Sequence, residues 1–305
     1  MRRFLITGGA GSFGTAFAKK FGDDYDLCCY SRDPLKHDAL KRIVPSVDAF
    51  VGSVTNRRRF AEILGYWRPD AVIHAAALKH VIAGEDNPLE YLMVNTIGSR
   101  VVAHCCGMAG VERVLLISTD KAVEPVNVYG LTKALAEAIW KEMARRYPHT
   151  KFIIIRLGNV LDARGSVLRR WIAAKKANKP LVARVPAPTR FVLSLDMAVN
   201  FAMEALKTGR SGDVLVPADL KAVDILDMAY AISSHVITVP LYPAEKQHEV
   251  LASWREGRER VGPFYRVFPD PESKNETPYS SRYAPLMDPR SVAFEMFRHL
   301  WEDEK

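Results

Sequence analysis

The sequence predicts an α/β fold, a doubly wound parallel sheet carrying a smaller, loop-rich C-terminal region. Three observations predict it. Short β-branched or apolar runs alternate with longer stretches of helical spacing through the first half of the chain. Strand interiors such as Val114-Leu115-Leu116-Ile117 are apolar without alternation, the pattern of strands covered by helices on both faces. A glycine-rich turn, Gly8-Gly9-Ala10-Gly11, joins the first apolar run to the first helical one.

In chain order, strands are expected at residues 3–7, 26–30, 47–51, 71–75, 113–118 and 152–156. Between them, apolar residues recur at helical intervals over 13–21, 34–43, 56–67, 88–109 and 128–147. After about Gly158 the pattern loosens, with Pro180, Pro217, Pro240, Pro263 and Pro271 among the interruptions. Helices are expected there at 167–177, 196–207 and 224–233. Residues 1–157 read as a nucleotide-binding unit. Residues 158–305 read mainly as a substrate-binding region, with some segments packing back on the first unit.

The 305 residues are 48% hydrophobic and 26% charged, which excludes a disordered or fibrous chain. No run approaches the ~18 apolar residues of a membrane span. The four cysteines fall as Cys28-Cys29 and Cys105-Cys106, without metal-ligand or redox spacing, and read as buried thiols; no metal is expected. Lys plus Arg total 43 against 35 Asp plus Glu, a net charge of +8. The basic residues are dispersed apart from Arg57-Arg58-Arg59, so nucleic acid is not expected as a partner, whereas a ligand with several phosphates suits the excess. Arg2-Arg3 before Phe4-Leu5-Ile6 has the start of a secretion signal, but the apolar stretch is too short, and a cytoplasmic location is expected.

Leu5-Ile6-Thr7-Gly8-Gly9-Ala10-Gly11-Ser12-Phe13-Gly14 carries both G-x-G-x-x-G and G-x-x-G-x-x-G. Alone, either pattern also serves as a structural turn. At the first strand-to-helix junction of an alternating chain it reads as the dinucleotide loop of a Rossmann sheet, where glycine lets backbone approach a pyrophosphate at a helix N-terminus. The second strand ends at Tyr30-Ser31-Arg32-Asp33. An acidic residue there ordinarily binds the ribose hydroxyls of NAD. Here Ser31 and Arg32 come first, and Arg32, helped by Lys36, suits a 2′-phosphate, so NADP is expected over NAD. The alternative is a solvated Arg32, with Asp33 capping the helix that opens at Pro34.

Tyr129 and Lys133 stand four apart at a helix start, hence on one face. An ammonium beside a phenol stabilises the phenolate and brings the tyrosine toward use as a base. Such a pair is commonly helix surface. After the fifth strand of a dinucleotide fold it points to hydride chemistry on an alcohol.

These residues resemble the extended short-chain dehydrogenase/reductase superfamily, and within it the inverting UDP-N-acetylglucosamine 4,6-dehydratases of polysaccharide biosynthesis. The resemblance continues through His74-Ala75-Ala76-Ala77-Leu78-Lys79-His80-Val81, Ser118-Thr119-Asp120-Lys121, Leu157-Gly158-Asn159-Val160 and Arg164-Gly165-Ser166-Val167. Thr189-Arg190-Phe191, Glu245-Lys246 with His248-Glu249, and Tyr279-Ser280-Ser281 complete it.

The resemblance implies an enzyme whose catalytic set is Thr119, Asp120, Lys121, Tyr129 and Lys133. Thr119 would orient the carbon-4 hydroxyl, and Tyr129, assisted by Lys133, would remove its proton. Lys121 would take the carbon-5 proton while Asp120 protonates the leaving 6-hydroxyl, giving an inverted 4-keto-6-deoxy sugar. NADP would rest on Thr7, Gly8, Gly11, Ser12, Phe13 and Gly14, on Ser31, Arg32 and Lys36, and on Ala75, Ala76, Tyr129 and Lys133. Lys79 and His80 would face the sugar, Asn159 the sugar or a phosphate, and Arg164 and Arg190 the uridine diphosphate. Val167 and Glu249 complete the expected substrate contacts with a UDP-activated amino sugar. Relatives often pair through helices corresponding to 88–109 and 131–147, so a homo-oligomer is expected. His74 reads as a packed strand residue.

The chain departs from the family pattern at Gly52-Ser53-Val54, where Asp is usual in the middle, at Ala244 for a usual Gly, and around Leu241-Tyr242-Pro243 and Leu161-Asp162-Ala163. Two other activities compete with the dehydratase. A nucleotide-sugar 4-epimerase needs Tyr129 and Lys133 but not Asp120 and Lys121. A silent NADP-binding scaffold needs none of the five.

Overall fold

The computed structural model describes residues 1–270, 272 and 277–294. Strands β1 (Arg3–Thr7), β2 (Asp26–Ser31), β3 (Asp48–Val51), β4 (Ala71–His74), β5 (Arg113–Thr119) and β6 (Lys151–Leu157) lie parallel. Their order is β3-β2-β1-β4-β5-β6. The winding therefore reverses between β1 and β4, and a crevice opens there at the carboxyl ends of the strands.

Helices α1 (Ser12–Phe21), α2 (Pro34–Ile43) and α3 (Arg57–Trp67) follow the first three strands. Asp33 caps α2 by accepting from the amides of Leu35 and Lys36, and Asn56 caps α3 through Arg59 N–H. The two faces of the sheet carry separate cores, and β1 feeds both. Leu5 packs with Val72, Val102 and Trp140, while Phe4 and Ile6 pack with Phe17, Leu27 and Leu206. Each such fully buried side chain contributes about 1.5–3 kcal/mol of burial. The cysteine pairs sit in these cores as buried free thiols.

After the short α4 (Val81–Asp86), the single helix expected over 88–109 is instead α5 (Pro88–Tyr91), a π-helical turn at Leu92–Ile97, and α6 (Gly98–Ala109). Asn95 explains the widened turn. Its buried amide accepts from Leu78 N–H at 2.8 Å and donates to Leu78 O at 2.9 Å, a contact that a continuous amphipathic pattern does not announce. Helix α7 (Val128–Arg146) then covers β5 and β6.

Beyond residue 158 come β7 (Asn159–Val160), α8 (Val167–Lys176), β8 (Leu181–Val185), β9 (Thr189–Leu193) and α9 (Leu195–Thr208). They are followed by β10 (Val214–Pro217), β11 (Ala222–Asp224), α10 (Ile225–Ile232) and β12 (Val236–Pro240). The last elements are β13 (Val250–Ala252), β14 (Glu256–Val261), β15 (Phe264–Pro269) and β16 (Tyr279–Ser280). Strand β10 extends the large sheet parallel to β6, and β15 and β14 add to it antiparallel. The proline-rich pattern hid this extension, because Val214-Leu215-Val216 is short and ends at Pro217.

A third core, around Leu168, Trp171, Leu181, Val192 and Met228, belongs to α8, α10 and the small sheets β7-β9-β11 and β8-β12. Pro271 and residues 295–305 of the expected second region lie outside the described residues. Among the described residues, no helix is long and apolar enough to cross a membrane.

Candidate active site

The crevice at the switch point is a cleft of about 910 Å³. Its first wall is the glycine loop. Gly8 donates to Tyr30 O at 2.8 Å and sits at φ +67°, and a Cβ there would come within 2.9 Å of the Ala76 backbone. Only glycine permits that approach. No side chain caps α1, so its first-turn amides are left for a ligand, as a pyrophosphate requires. Gly8, Gly11, Ser12 and Phe13 line the cleft, as do Ala75 and Ala76 opposite.

Thr7 and Gly14, expected to touch the cofactor, lie one layer behind. The Thr7 hydroxyl bonds His74 Nδ1 at 2.7 Å, and Gly14 lets α1 press on Gly9, whose oxygen a Cβ would meet at 2.2 Å. His74 itself is packed, with Nε2 on Ser99 Oγ at 2.8 Å. The end of the cleft beyond β2, where the sequence reading expects the adenosine, is lined by Ser31, Arg32 and Lys36. Arg32 is exposed there, Ser31 Oγ meets His37 Nε2 at 2.6 Å, and Lys36 pairs with the capping Asp33 at 3.0 Å.

The central wall is built by the end of β5 and the start of α7. Asn127 caps α7 by accepting from Gly130 N–H at 2.7 Å and donates to Ala244 O at 2.9 Å, which ties the C-terminal segment to the helix carrying Tyr129. Thr119, Lys121 and Tyr129 line the cleft; Asp120 and Lys133 are buried against it. Thr119 Oγ1 donates to Asp120 Oδ1 at 2.8 Å. Lys121 Nζ reaches Asp120 Oδ1 at 3.0 Å, Asn159 Oδ1 at 2.9 Å and Glu249 Oε1 at 3.3 Å.

Burial raises the Asp120 carboxyl above the ordinary range, against the pull of Lys121. The same burial opposes charge on Lys121, but Asp120 and Glu249 outweigh it and hold the ammonium above its usual range. Burial pushes the Tyr129 phenol up to about 12 despite Lys121 and a hydrogen bond with Thr119. The expectation of a phenol lowered by Lys133 is therefore corrected. Lys133 Nζ donates to Ile117 O at 2.8 Å, and burial lowers its ammonium to about 8 against the opposing charge of Glu137.

Lys79, His80, Asn159 and Val167, expected to meet the substrate, also line the cleft. The His80 ring lies over Gly165, where a Cβ would meet it at 2.7 Å. The two arginines expected at the diphosphate also line the cleft, and both donate to backbone carbonyls. Arg164 donates to Ala10 O, and its N–H bonds Ser12 Oγ at 2.9 Å, so it bridges to the glycine loop. Arg190 is buried and donates to the carbonyls of Thr189, Lys246 and Gln247 at 2.8–3.0 Å. Glu249, expected as a substrate contact, lines the inner end of the cleft and is 2% exposed beside Lys121.

The sequence profile of the polysaccharide biosynthesis protein family matches residues 4–266. The chain belongs to that family. UDP-glucose 4-epimerase of Rickettsia canadensis (strain McKiel) is 34% identical over 295 residues, covering 91% of this chain and 86% of the relative. UDP-N-acetylglucosamine 4,6-dehydratase (inverting) of Campylobacter jejuni subsp. jejuni serotype O:2 is 33% identical over 265 residues, covering 83% and 78%. The crystal structure of Pen from Bacillus thuringiensis superposes with a TM-score of 0.89 at 23% identity over 97% of each chain, so the fold is shared. This polysaccharide biosynthesis protein is an enzyme on the extended short-chain dehydrogenase/reductase scaffold, with a hydro-lyase among its relatives.

Sequence reasoning about the family's motifs missed the groups beneath them. Glu137, one turn beyond Lys133, accepts from Ser118 Oγ at 2.5 Å and from Arg156 Nη2 at 2.9 Å. Arg156 also meets Glu256 through two 3.0 Å contacts. The signal available was the spacing of Tyr129, Lys133 and Glu137 along one helix face; the partners come from distant segments.

Proposed function

We propose that the protein is an NADP-dependent nucleotide-sugar dehydratase that converts UDP-N-acetylglucosamine to a 4-keto-6-deoxy sugar with inversion at carbon 5. The observation that carries this reading is the Asp120–Lys121 pair, a buried carboxyl with a raised pKa bonded to a lysine at the cleft. A 4-epimerase has no use for either group, whereas loss of water requires an acid and a base. The 33% identity to an inverting dehydratase supports the same reading.

A bound nicotinamide cofactor supplies a hydride acceptor at carbon 4 and a hydride donor at carbon 6. Thr119 holds the carbon-4 hydroxyl, and Tyr129 takes its proton, the positive charge of Lys121 opposing the burial that holds the phenol up at about 12. Once carbon 4 is a ketone, the carbon-5 proton is acidic. Across their 3.0 Å contact, Asp120 and Lys121 exchange one proton between an ion pair and a neutral pair of acid and amine. Burial opposes both charges while Glu249 sustains the ammonium, so the neutral pair is the minor form and the reactive one. The amine takes the carbon-5 proton, the carbon–oxygen bond at carbon 6 breaks, and the Asp120 proton leaves with the oxygen as water. The ion pair is thereby restored.

Arg32 at the adenosine end supports NADP over NAD. The exposed Leu89, Leu131 and Leu135 on α5 and α7 support a homo-oligomer, which we place in the cytoplasm.

Incubation with UDP-N-acetylglucosamine in deuterated water tests the reading. One water is lost, one deuterium enters at carbon 5, and NADP is not consumed. A product of unchanged mass with carbon 4 inverted would make the protein an epimerase.

A further inference from the structure

Glu249 touches the base of the proposed elimination, yet that chemistry leaves it without a part. Its Oε1 is 3.3 Å from Lys121 Nζ and 4.0 Å from Arg190 Nε, and its Oε2 is 3.5 Å from Lys246 Nζ. At 2% exposure the side chain is covered by these cations. Glu249 itself and the cations other than Lys121 are anchored to backbone or to serine hydroxyls. Its own N–H bonds Ser281 Oγ at 2.9 Å, and its carbonyl accepts from Ser280 Oγ at 3.0 Å. Arg190 is held by three carbonyls, and Lys246 donates to Val123 O at 2.6 Å. A carboxylate so placed cannot follow the substrate; it can only fix its neighbour.

That neighbour has a definite geometry. An ammonium carries three donors, and Lys121 has three acceptors: Asp120, Asn159 and Glu249. When the proton shared with Asp120 departs, two N–H groups remain, facing Asn159 and Glu249. The lone pair is left at the third corner.

We propose that Glu249 is a positioning residue for the elimination, orienting the Lys121 amine together with Asn159 and compensating the ammonium that forms as Lys121 takes the carbon-5 proton. The role rests on the dehydratase reading. In the step itself the C5–H bond breaks toward nitrogen, its electron pair forms the C5–C6 double bond, and the 6-oxygen departs with the Asp120 proton. Glu249 exchanges no atom. The charged or titratable groups facing Lys121 are Asp120 on its own turn, Glu249 and Lys246 from the segment before β13, Arg190 on β9 and Tyr129 on α7. Among them, Asp120 and Glu249 supply the negative charge that sustains the ammonium.

The test compares the full-length enzyme with Glu249→Gln and Glu249→Asp, using NADP and UDP-N-acetylglucosamine. In Glu249→Gln the elimination slows by about 10–100-fold, below the ~10²–10⁴-fold of an acid–base group itself. KM holds, reduced-nicotinamide absorbance builds up because oxidation precedes the slowed step, and the kcat limb belonging to Lys121 moves to lower pH. Glu249→Asp keeps the charge one methylene further away. Its limb stays near the wild-type position while the rate falls, which covers the case of a Gln variant that does not fold.

Unchanged kcat and limb in Glu249→Gln would overturn the role, as would oxidation and elimination falling together with the limb unmoved. If the wild type releases no water, the dehydratase reading fails and the role with it. A dehydrating wild type with a normal Glu249→Gln defeats the role alone.

Discussion

Replacing Glu137 by Gln should affect stability and catalysis through separate routes. Glu137 and Arg156 are a buried pair, 5% and 6% exposed at the side chain, with Nη2–Oε2 at 2.9 Å and Nε–Oε1 at 3.1 Å. Removing one partner of such a pair leaves an uncompensated charge and typically costs about 3–5 kcal/mol. Arg156 keeps Glu256 on its other side and Leu251 O at 3.0 Å, so the lower end, about 3 kcal/mol, applies here. For a chain of this size each kcal/mol moves the melting midpoint by about 2–4 °C, giving a fall of roughly 6–12 °C.

The second route runs through Lys133. Burial has lowered its ammonium to about 8, and Glu137 supplies the charge that resists further lowering. Without it the ammonium titrates below about 8. The family resemblance gives charged Lys133 the part of assisting Tyr129; with that part, kcat/KM falls as pH rises through that value, and the variant should lose activity at lower pH than the wild type. Thermal melting and the pH dependence of kcat/KM read the two effects independently. A midpoint within about 2 °C of wild type, with the limb unmoved, would refute both the ion-pair accounting and the electrostatic link to Lys133.

Three further outcomes are expected. Arg32→Ala should weaken NADP about 10–100-fold and leave NAD unchanged, the range of a charge-assisted hydrogen bond; equal affinities in the wild type would remove the assignment. Asp120→Asn and Lys121→Ala should fold and bind cofactor yet lose dehydration by ~10²–10⁴-fold, and Tyr129→Phe should block the preceding oxidation, whereas near-normal turnover in the first two would make their turn purely structural. Burial, aided by the charge of Lys133, holds the His74 imidazole down to about 3 from 6.5, so the unfolded chain binds a proton that the fold excludes. That stability is complete above about pH 6.5 and declines as pH falls, by about 2 kcal/mol at pH 5; urea midpoints of His74→Asn that parallel wild type across this range would exclude the linkage.

What could be read from the sequence was local and periodic. The glycine loop is legible because strand, turn and helix are contiguous and the φ of +67° at Gly8 is a backbone demand that composition reveals. The sheet order up to β6 follows from alternating elements. Long-range placement was hidden. Asn95 breaks the period of its helix because of a contact 17 residues earlier in the chain, and β10 is a short apolar run among prolines.

The charges around Lys121 and Lys133 were hidden for the same reason. Arg156 reaches Glu137 across 19 residues and Glu256 across 100, so no local pattern contains the field that sets Lys133. Arginine was the least legible residue of all. A guanidinium offers the same fork to a diphosphate and to backbone carbonyls, and Arg164 and Arg190 are found on carbonyls. Lys121 differs in the decisive respect that two of its three partners are carboxylates, which leave a proton free to move. Whether a residue's donors face exchangeable acids or fixed carbonyls, rather than its type or motif, separates the groups that can do chemistry here from those that hold the site together.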